Sequence, residues 1–347
     1  MPPLDRGEPL RYRLFDRVLF SPVGLPLLAE LSDDTPVPRS PGDQVVVEWT
    51  EGSGSTAPLS RITIGHPSGF EVFRTADGYD FTSIRGGWTA TVDPAGRHVQ
   101  VRLGRGMQQP AARSVADDLT TAILTRLPAL WGLVPLHAAV VLGPAGVVVL
   151  CGPSGAGKST LGHCLARRAG WHLVDDDTVI LEPADSDGSM MDCWAMGSTP
   201  RLRSDAAAGL GVQGRAILGF ADGKIAADTP RIGSVRGFTS AVVIHLRPIP
   251  PETDEATTAN IEFTRVRPAA AMSLLGKSAF SVDLRDRRWL ARRFQFSRGM
   301  AAHPTFTLEY SPGVVGPEAL SEHVVGAVQG AWAAPRISEQ PGPAPRH

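Results

Sequence analysis

The first hundred residues alternate. Val45–Trp49, Arg61–Ile64, Phe70–Phe73 and His98–Leu103 are β-rich runs or place apolar residues at every second position, the period of a strand with one covered face. Pro41-Gly42, Asp77-Gly78, Gly86-Gly87 and Pro94-Ala95-Gly96 lie between them and predict turns. The pattern predicts a small antiparallel, β-rich domain or sheet extension over residues 1–112, with no catalytic constellation in it. The period then changes. Leu119, Ile123, Leu124 and Leu127 recur three and four apart, which predicts a helix over residues 114–131 with one apolar stripe. Ser114 suits its cap, Asp117 and Asp118 suit the positive end of its dipole, and Pro128 is expected to bend or end it.

A second domain is expected over residues 113–332. In it, Leu136–Leu142 predicts a strand and Gly143–Gly146 a turn. Val147–Cys151 is a continuous apolar run, as expected of a strand covered on both faces. Thr160–Ala169 predicts a short helix stopped by Gly170. Trp171–Val174 predicts a strand ending in Asp175-Asp176-Asp177, with Thr178–Leu181 continuing extended. Farther on, Ala241–Leu246 predicts a buried strand, Thr305–Glu309 a weaker one and Ala269–Leu275 a helix. Pro183–Gly188 and Pro248–Asn260 read as loops, and Arg285–Arg293 as a solvated helix face. Residues 333–347, rich in Pro and Gly, are expected to be disordered.

Composition narrows the function classes. A formal net charge of −1 over 347 residues argues against a protein whose task is gripping nucleic acid or an acidic membrane surface. No run approaches the 18 apolar residues of a membrane span, and the first fifteen residues lack a signal peptide's apolar core. Cys151, Cys164 and Cys193 are an odd number without CxxC spacing. Buried free thiols in a reducing cytoplasm are therefore expected.

The chemistry is concentrated after the apolar run. Gly152-Pro153-Ser154-Gly155-Ala156-Gly157-Lys158-Ser159 matches G-x-x-x-x-G-K-[ST] in full. The glycines let successive N–H groups turn toward phosphate oxygens, and the helix that follows adds the positive end of its dipole. Lys158 is expected at the β- and γ-phosphates and the Ser159 hydroxyl on Mg²⁺, with Thr160 beginning the helix wall. The expected ligands are ATP and Mg²⁺. Asp175-Asp176-Asp177 begins 17 residues after Lys158. An acid at the end of a neighbouring strand completes the metal shell in P-loop proteins, and a second acid can take a proton from a hydroxyl. Arg201 and Arg203 read as surface charges after a turn, with contact to a phosphate or an acidic substrate as the alternative. Lys224 is weighed as a phosphate clamp on a loop.

Taken together, His137-Ala-Ala-Val-Val, the segment Gly146–Ser159 and Trp171-His-Leu-Val-Asp-Asp-Asp177 resemble the C-terminal catalytic domain of the HPr serine kinase/phosphorylase family. The likeness is greatest to its shorter, divergent relatives, some of which phosphorylate a serine on a precursor peptide. The segment Leu25-Pro26-Leu27 adds to it. The resemblance implies an α/β fold related to phosphoenolpyruvate carboxykinases, with the P-loop on a mixed sheet and not on a doubly wound parallel one. It implies Asp176 as general base, Asp177 as the acid near the metal with Ser159, and His137 beside the catalytic aspartate. The implied reaction is γ-phosphate transfer to a serine of a peptide or protein. A small hydroxyl metabolite, or a nucleotide-dependent regulatory module, stays open as an alternative, as does a homo-oligomer. One departure is plain. The family's Glu-Ile-Arg-Gly-Leu-Gly segment has no counterpart, because Met196–Arg203 holds no acid.

Overall fold

The computed structural model describes residues 9–28, 30–31, 44–51, 60–62, 70–84, 87–104, 109–184, 190–216, 223–227, 229–249 and 261–333. The predicted turn at Pro41-Gly42, the strand end at Ile64, Gly86, most of both predicted loops and residues 334–347 of the tail lie outside them.

The N-terminal part forms an eight-stranded sheet. Its strands are β1 (Leu10–Leu14), β2 (Arg17–Ser21), β3 (Gln44–Glu51), β4 (Ser60–Ile62), β5 (Phe70–Thr75), β6 (Gly78–Ser83), β7 (Trp88–Val92) and β8 (His98–Leu103), in the order β1-β2-β3-β8-β7-β6-β5-β4. The sheet is not purely antiparallel, in contrast to what the alternation predicts. β3 runs parallel to both of its neighbours, β2 and β8. Tight turns force the β5–β8 hairpins to reverse, whereas no hairpin joins β3 to either neighbour: 22 residues separate it from β2, and β4–β7 lie between it and β8 along the chain. Val45, Val47 and Trp49 on β3 are buried, as are Ala90, Val99 and Val101 on β7 and β8.

The helix begins earlier than expected, as α1 (Gln109–Asp118). It runs through a π turn (Leu119–Ile123) and a 3₁₀ turn (Leu124–Arg126) into α2 (Leu127–Leu130). Asp117 and Asp118 therefore sit at the C-terminal end of α1. Burial pushes Asp118 up to about 6 there. Hydroxyls of Thr120, Thr121 and Thr125 donate to carbonyls four residues back, a pattern that bends helices. Pro128 stands in the first turn of α2, where it breaks no hydrogen bond. The predicted stripe of Leu119, Ile123, Leu124 and Leu127 is fully buried against the sheet.

The remainder is mixed α/β. Its strands are β9 (Pro135–His137), β10 (Ala139–Gly143), β11 (Gly146–Cys151), β12 (His172–Asp175), β13 (Thr178–Pro183), β14 (Met191–Ala195), β15 (Arg201–Arg203), β16 (Gly214–Ala216), β17 (Lys224–Ala227), β18 (Ser234–Phe238), β19 (Ala241–Pro248), β20 (Ile261–Arg265) and β21 (Thr305–Tyr310). Its helices are α3 (Lys158–Ala166), α4 (Ser204–Leu210), α5 (Pro268–Ser278), α6 (Arg287–Met300) and α7 (Pro317–Ala333). A six-stranded sheet in the order β12-β10-β11-β19-β21-β20 carries the P-loop. β11, β19 and β21 are parallel, and β10, β12 and β20 run against their neighbours. The sheet is mixed, as the resemblance implies. Val148 and Leu150 pack with Leu161 and Leu165 of α3 and Val324 and Val328 of α7, while Val147 and Val149 face the opposite core.

A four-stranded sheet, β18-β14-β13-β9, lies alongside. Two predicted strands are each divided between the two sheets. Leu136–Leu142 breaks at Ala138, between β9 and β10. The extended run after Trp171 breaks at Asp176-Asp177, between β12 and β13. The Ala138 N–H donates to the Asp177 carbonyl at 3.2 Å, which ties the two crossing points together. His137 and the aspartates therefore meet where the chain changes sheets.

Candidate active site

The P-loop is built by close approach. At Gly152, with φ +143°, a Cβ would stand 2.7 Å from the Leu246 carbonyl of β19. Gly155 and Gly157 have φ of +81° and +77°, a conformation that side chains disfavour. The Tyr310 hydroxyl, at the end of β21, donates to the Ala156 carbonyl at 2.6 Å and braces the loop. Lys158 opens α3 and is buried. Its Nζ donates to the Gly152 and Pro153 carbonyls, both at 3.0 Å, and burial holds its pKa below the usual ammonium range.

One cleft gathers most of the predicted site. Its lining holds His137, Ser154, Gly155, Gly157, Lys158, Ser159, Thr160, Asp176 and Asp177, with about 830 Å³ of open space including its mouth. Gly152 and Ala156 support the loop from behind, and Pro153 faces a separate depression beside His245. The other cleft residues are Arg201, Leu202, Arg203 and Lys224 from β15 and β17.

The three aspartates have three environments. Asp175 is fully buried. Burial pushes its pKa up to about 7 against the opposing charge of Arg231. Its Oδ1 accepts the Asp176 N–H at 2.7 Å and shapes the turn. The Asp176 carboxylate is 1% exposed, and its Oδ2 accepts the Arg201 backbone N–H at 2.9 Å. The Asp177 carboxylate is 18% exposed, so it presents more of itself to the cleft. It pairs with the Arg201 guanidinium and accepts from the Thr178 hydroxyl at 3.2 Å. Burial would raise Asp177, but the Arg201 guanidinium outweighs it and holds its pKa below the usual carboxylate value. His137 stacks on Phe280 with ring centroids 5.5 Å apart. Burial first, then the charge of Lys158, depress its pKa to about 3. It is therefore a neutral imidazole at physiological pH.

This donor set fits a hard cation. The Ser159 hydroxyl and an ionised Asp177 carboxylate line the same cleft, and the Ser159 Oγ reaches the Asp176 carbonyl at 3.3 Å. Among the described residues no three acidic, His or Cys side chains form a closed metal cage. An open arrangement of one or two oxygen ligands is what Mg²⁺ takes when phosphates and water fill the rest of its shell.

The structure corrects the reading of Arg201 as a surface charge. It is 9% exposed and pairs with Asp177. Arg203 is exposed and holds Asp205 at 3.1 Å. Lys224 lies on a strand, opposite Arg203 in the β15–β17 ladder. Strand pairing puts Lys224 beside Arg203 in a small separate sheet, and the Arg201 contacts with Asp176 and Asp177 hold that sheet at the cleft, which their spacing along the chain does not reveal. Four further residues escaped the sequence reading: Tyr310, Phe280, Arg126 and His163. The buried Arg126 guanidinium lies 4.9 Å from the Phe280 ring centre, next to His137. His163 had a visible signal, since it stands four residues after Ser159 and so one helical turn along the same face.

A family model described as an AAA domain matches residues 147–209. That span runs from β11 through the P-loop, α3, β12 and β13 into α4, and it marks a nucleotide-binding P-loop domain. A search of curated proteins found no match. Among solved structures, the HPr(Ser) kinase/phosphatase from Coxiella burnetii is similar at 14% identity, over 56% of this chain and 97% of that one, with a TM-score of 0.26. The family match and the cleft geometry together establish a mixed α/β protein with a P-loop nucleotide site.

Proposed function

We propose that the protein is an ATP-dependent kinase that transfers the γ-phosphate to a hydroxyl, specifically a serine of a peptide or protein. The carrying observation is that one cleft holds both the P-loop and a buried acid that the phosphate site does not need. Lys158, Ser159 and the loop N–H groups serve the nucleotide. Asp177 and Ser159 would hold Mg²⁺, which when bound offsets charge on the phosphates. Asp176 is left for the acceptor. Its Oδ1 is buried and has no hydrogen-bond partner, which leaves a lone pair unused that would take the proton of a hydroxyl reaching it in line with the γ-phosphate. Arg201 holds Asp177 ionised and in place, and neutral His137 adds no charge that would compete with the metal.

The test is mass spectrometry of candidate acceptors incubated with Mg-ATP, beginning with serine-containing peptides and then free hydroxyl amino acids. Lys158→Ala controls for contaminating kinases. A gain of one phosphate on a serine, absent with Lys158→Ala, is the expected result. Phosphate appearing only on a small metabolite would overturn the peptide assignment. Nucleotide binding with no transfer to any acceptor or to water would overturn the kinase.

A further inference from the structure

His163 is 1% exposed, and both of its ring nitrogens face polar groups. Nδ1 lies 2.9 Å from the Thr229 hydroxyl. Nε2 lies 3.5 Å from Oδ2 of Asp176, is buried and has no hydrogen-bond partner, so this carboxylate is the polar group it faces. On the carboxylate, Oδ2 thus takes the Arg201 N–H and faces His163, while Oδ1, also buried, has no partner. A histidine that only filled space on α3 would gain nothing over leucine, since burying an imidazole costs free energy unless its nitrogens are used.

We propose that His163 is a positioning residue for Asp176, holding Oδ2 through Nε2–H and so presenting Oδ1 as the oxygen that receives the acceptor's proton. The inference rests on the kinase reading above. In the step it serves, the acceptor O–H bond breaks and its proton moves to Oδ1. The acceptor oxygen bonds to the γ-phosphorus. The bond from that phosphorus to its bridging oxygen breaks, and the electron pair leaves on the nucleoside diphosphate. His163 exchanges no proton. The Thr229 hydroxyl donates to Nδ1, which fixes the tautomer with its proton on Nε2, and α3 fixes the distance to the carboxylate. Because α3 also begins with Lys158 and Ser159, one rigid helix sets the phosphate, metal and base positions together. Loss of such alignment costs on the order of 10- to 100-fold in rate.

Two measurements test this on the full-length protein. The first is ¹⁵N spectroscopy of the histidine side chains near neutral pH, with the His163 signal assigned by its disappearance in His163→Gln. The expected result is a proton on Nε2 and a displaced signal in Asp176→Asn. An Nε2 without a proton, or a signal indifferent to Asp176→Asn, overturns the proposal whatever the protein's activity. The second is phosphate release from Mg-ATP without acceptor. His163→Leu should lower kcat about tenfold or more with KM for ATP within about twofold, and His163→Gln, which keeps an N–H donor, should recover most of the rate. Equal loss in both variants, or a loss confined to KM, overturns the positioning role. A wild type that binds ATP but neither releases nor transfers phosphate overturns the kinase reading, and the ¹⁵N result then still decides the His163–Asp176 contact.

Discussion

Replacing Asp175 by Asn should stabilise the protein near neutral pH. Asp175 is completely buried, and its Oδ2 has no hydrogen-bond partner. Burial raises its pKa from 3.8 to about 7, even though Arg231 pulls the other way. The folded state therefore keeps a proton at pH values where the unfolded chain has lost it. Stability is fully present below the unfolded pKa of 3.8 and falls as the pH climbs toward the folded value of about 7. At about 1.4 kcal/mol per tenfold, the full loss is about 4 kcal/mol, nearly all of it incurred by neutral pH. Asn accepts the Asp176 N–H as Asp175 does but cannot ionise, so its stability curve lacks this fall. Urea unfolding in metal-free buffer at about pH 5 and about pH 7.5 measures it. Wild type should lose about 2–3 kcal/mol more across that interval than Asp175→Asn. Parallel curves for the two proteins would refute the account of Asp175 as a strained, buried acid.

Three further outcomes are expected. Asp176→Asn should bind ATP with unchanged affinity while phosphate transfer falls about 10²- to 10⁴-fold; single-turnover assays beside nucleotide titration separate the two, and transfer at the native rate would remove Asp176 from the mechanism. Tyr310→Phe leaves the Ala156 carbonyl, now held at 2.6 Å, without its buried donor, so it should cost about 1–3 kcal/mol in urea unfolding; an unchanged midpoint would show that the brace contributes nothing. Gly157→Ala puts a Cβ 2.9 Å from the Tyr310 hydroxyl at φ +77°, a conformation costing an alanine roughly 1–2 kcal/mol before any clash. Calorimetry should show ATP binding weakened about tenfold or more, and wild-type affinity would mean that the loop tolerates the side chain.

Much of the site was legible because its parts are local. The P-loop lies within eight consecutive residues, and its strand-before, helix-after context shows in a change of hydrophobic period between Val147 and Ala166. The acid triplet stands at the end of an apolar run. What each acid does was not legible. Asp175 is driven toward its neutral form, Asp176 is held by a backbone N–H, and Asp177 is kept ionised by Arg201. These differences come from residues that arrive from elsewhere in the chain.

The sequence by itself determined the nucleotide loop, the strands around it and the helical stripe of Leu119–Leu127, because each depends on neighbours three to eight positions away. Only the tertiary structure decided that two apparently continuous strands are cut and shared between two sheets, at Ala138 and at Asp176-Asp177. A run such as Leu136–Leu142 is apolar except for His137, and its pattern carries no mark of the change of partner at Ala138. Pairing decided it, and pairing is a long-range property: Thr178 against His137, and Val140 against Asp175. Tertiary packing likewise set the small β15–β17 sheet against the acids, where Arg201 meets Asp177, and turned a P-loop with nearby acids into a single cleft.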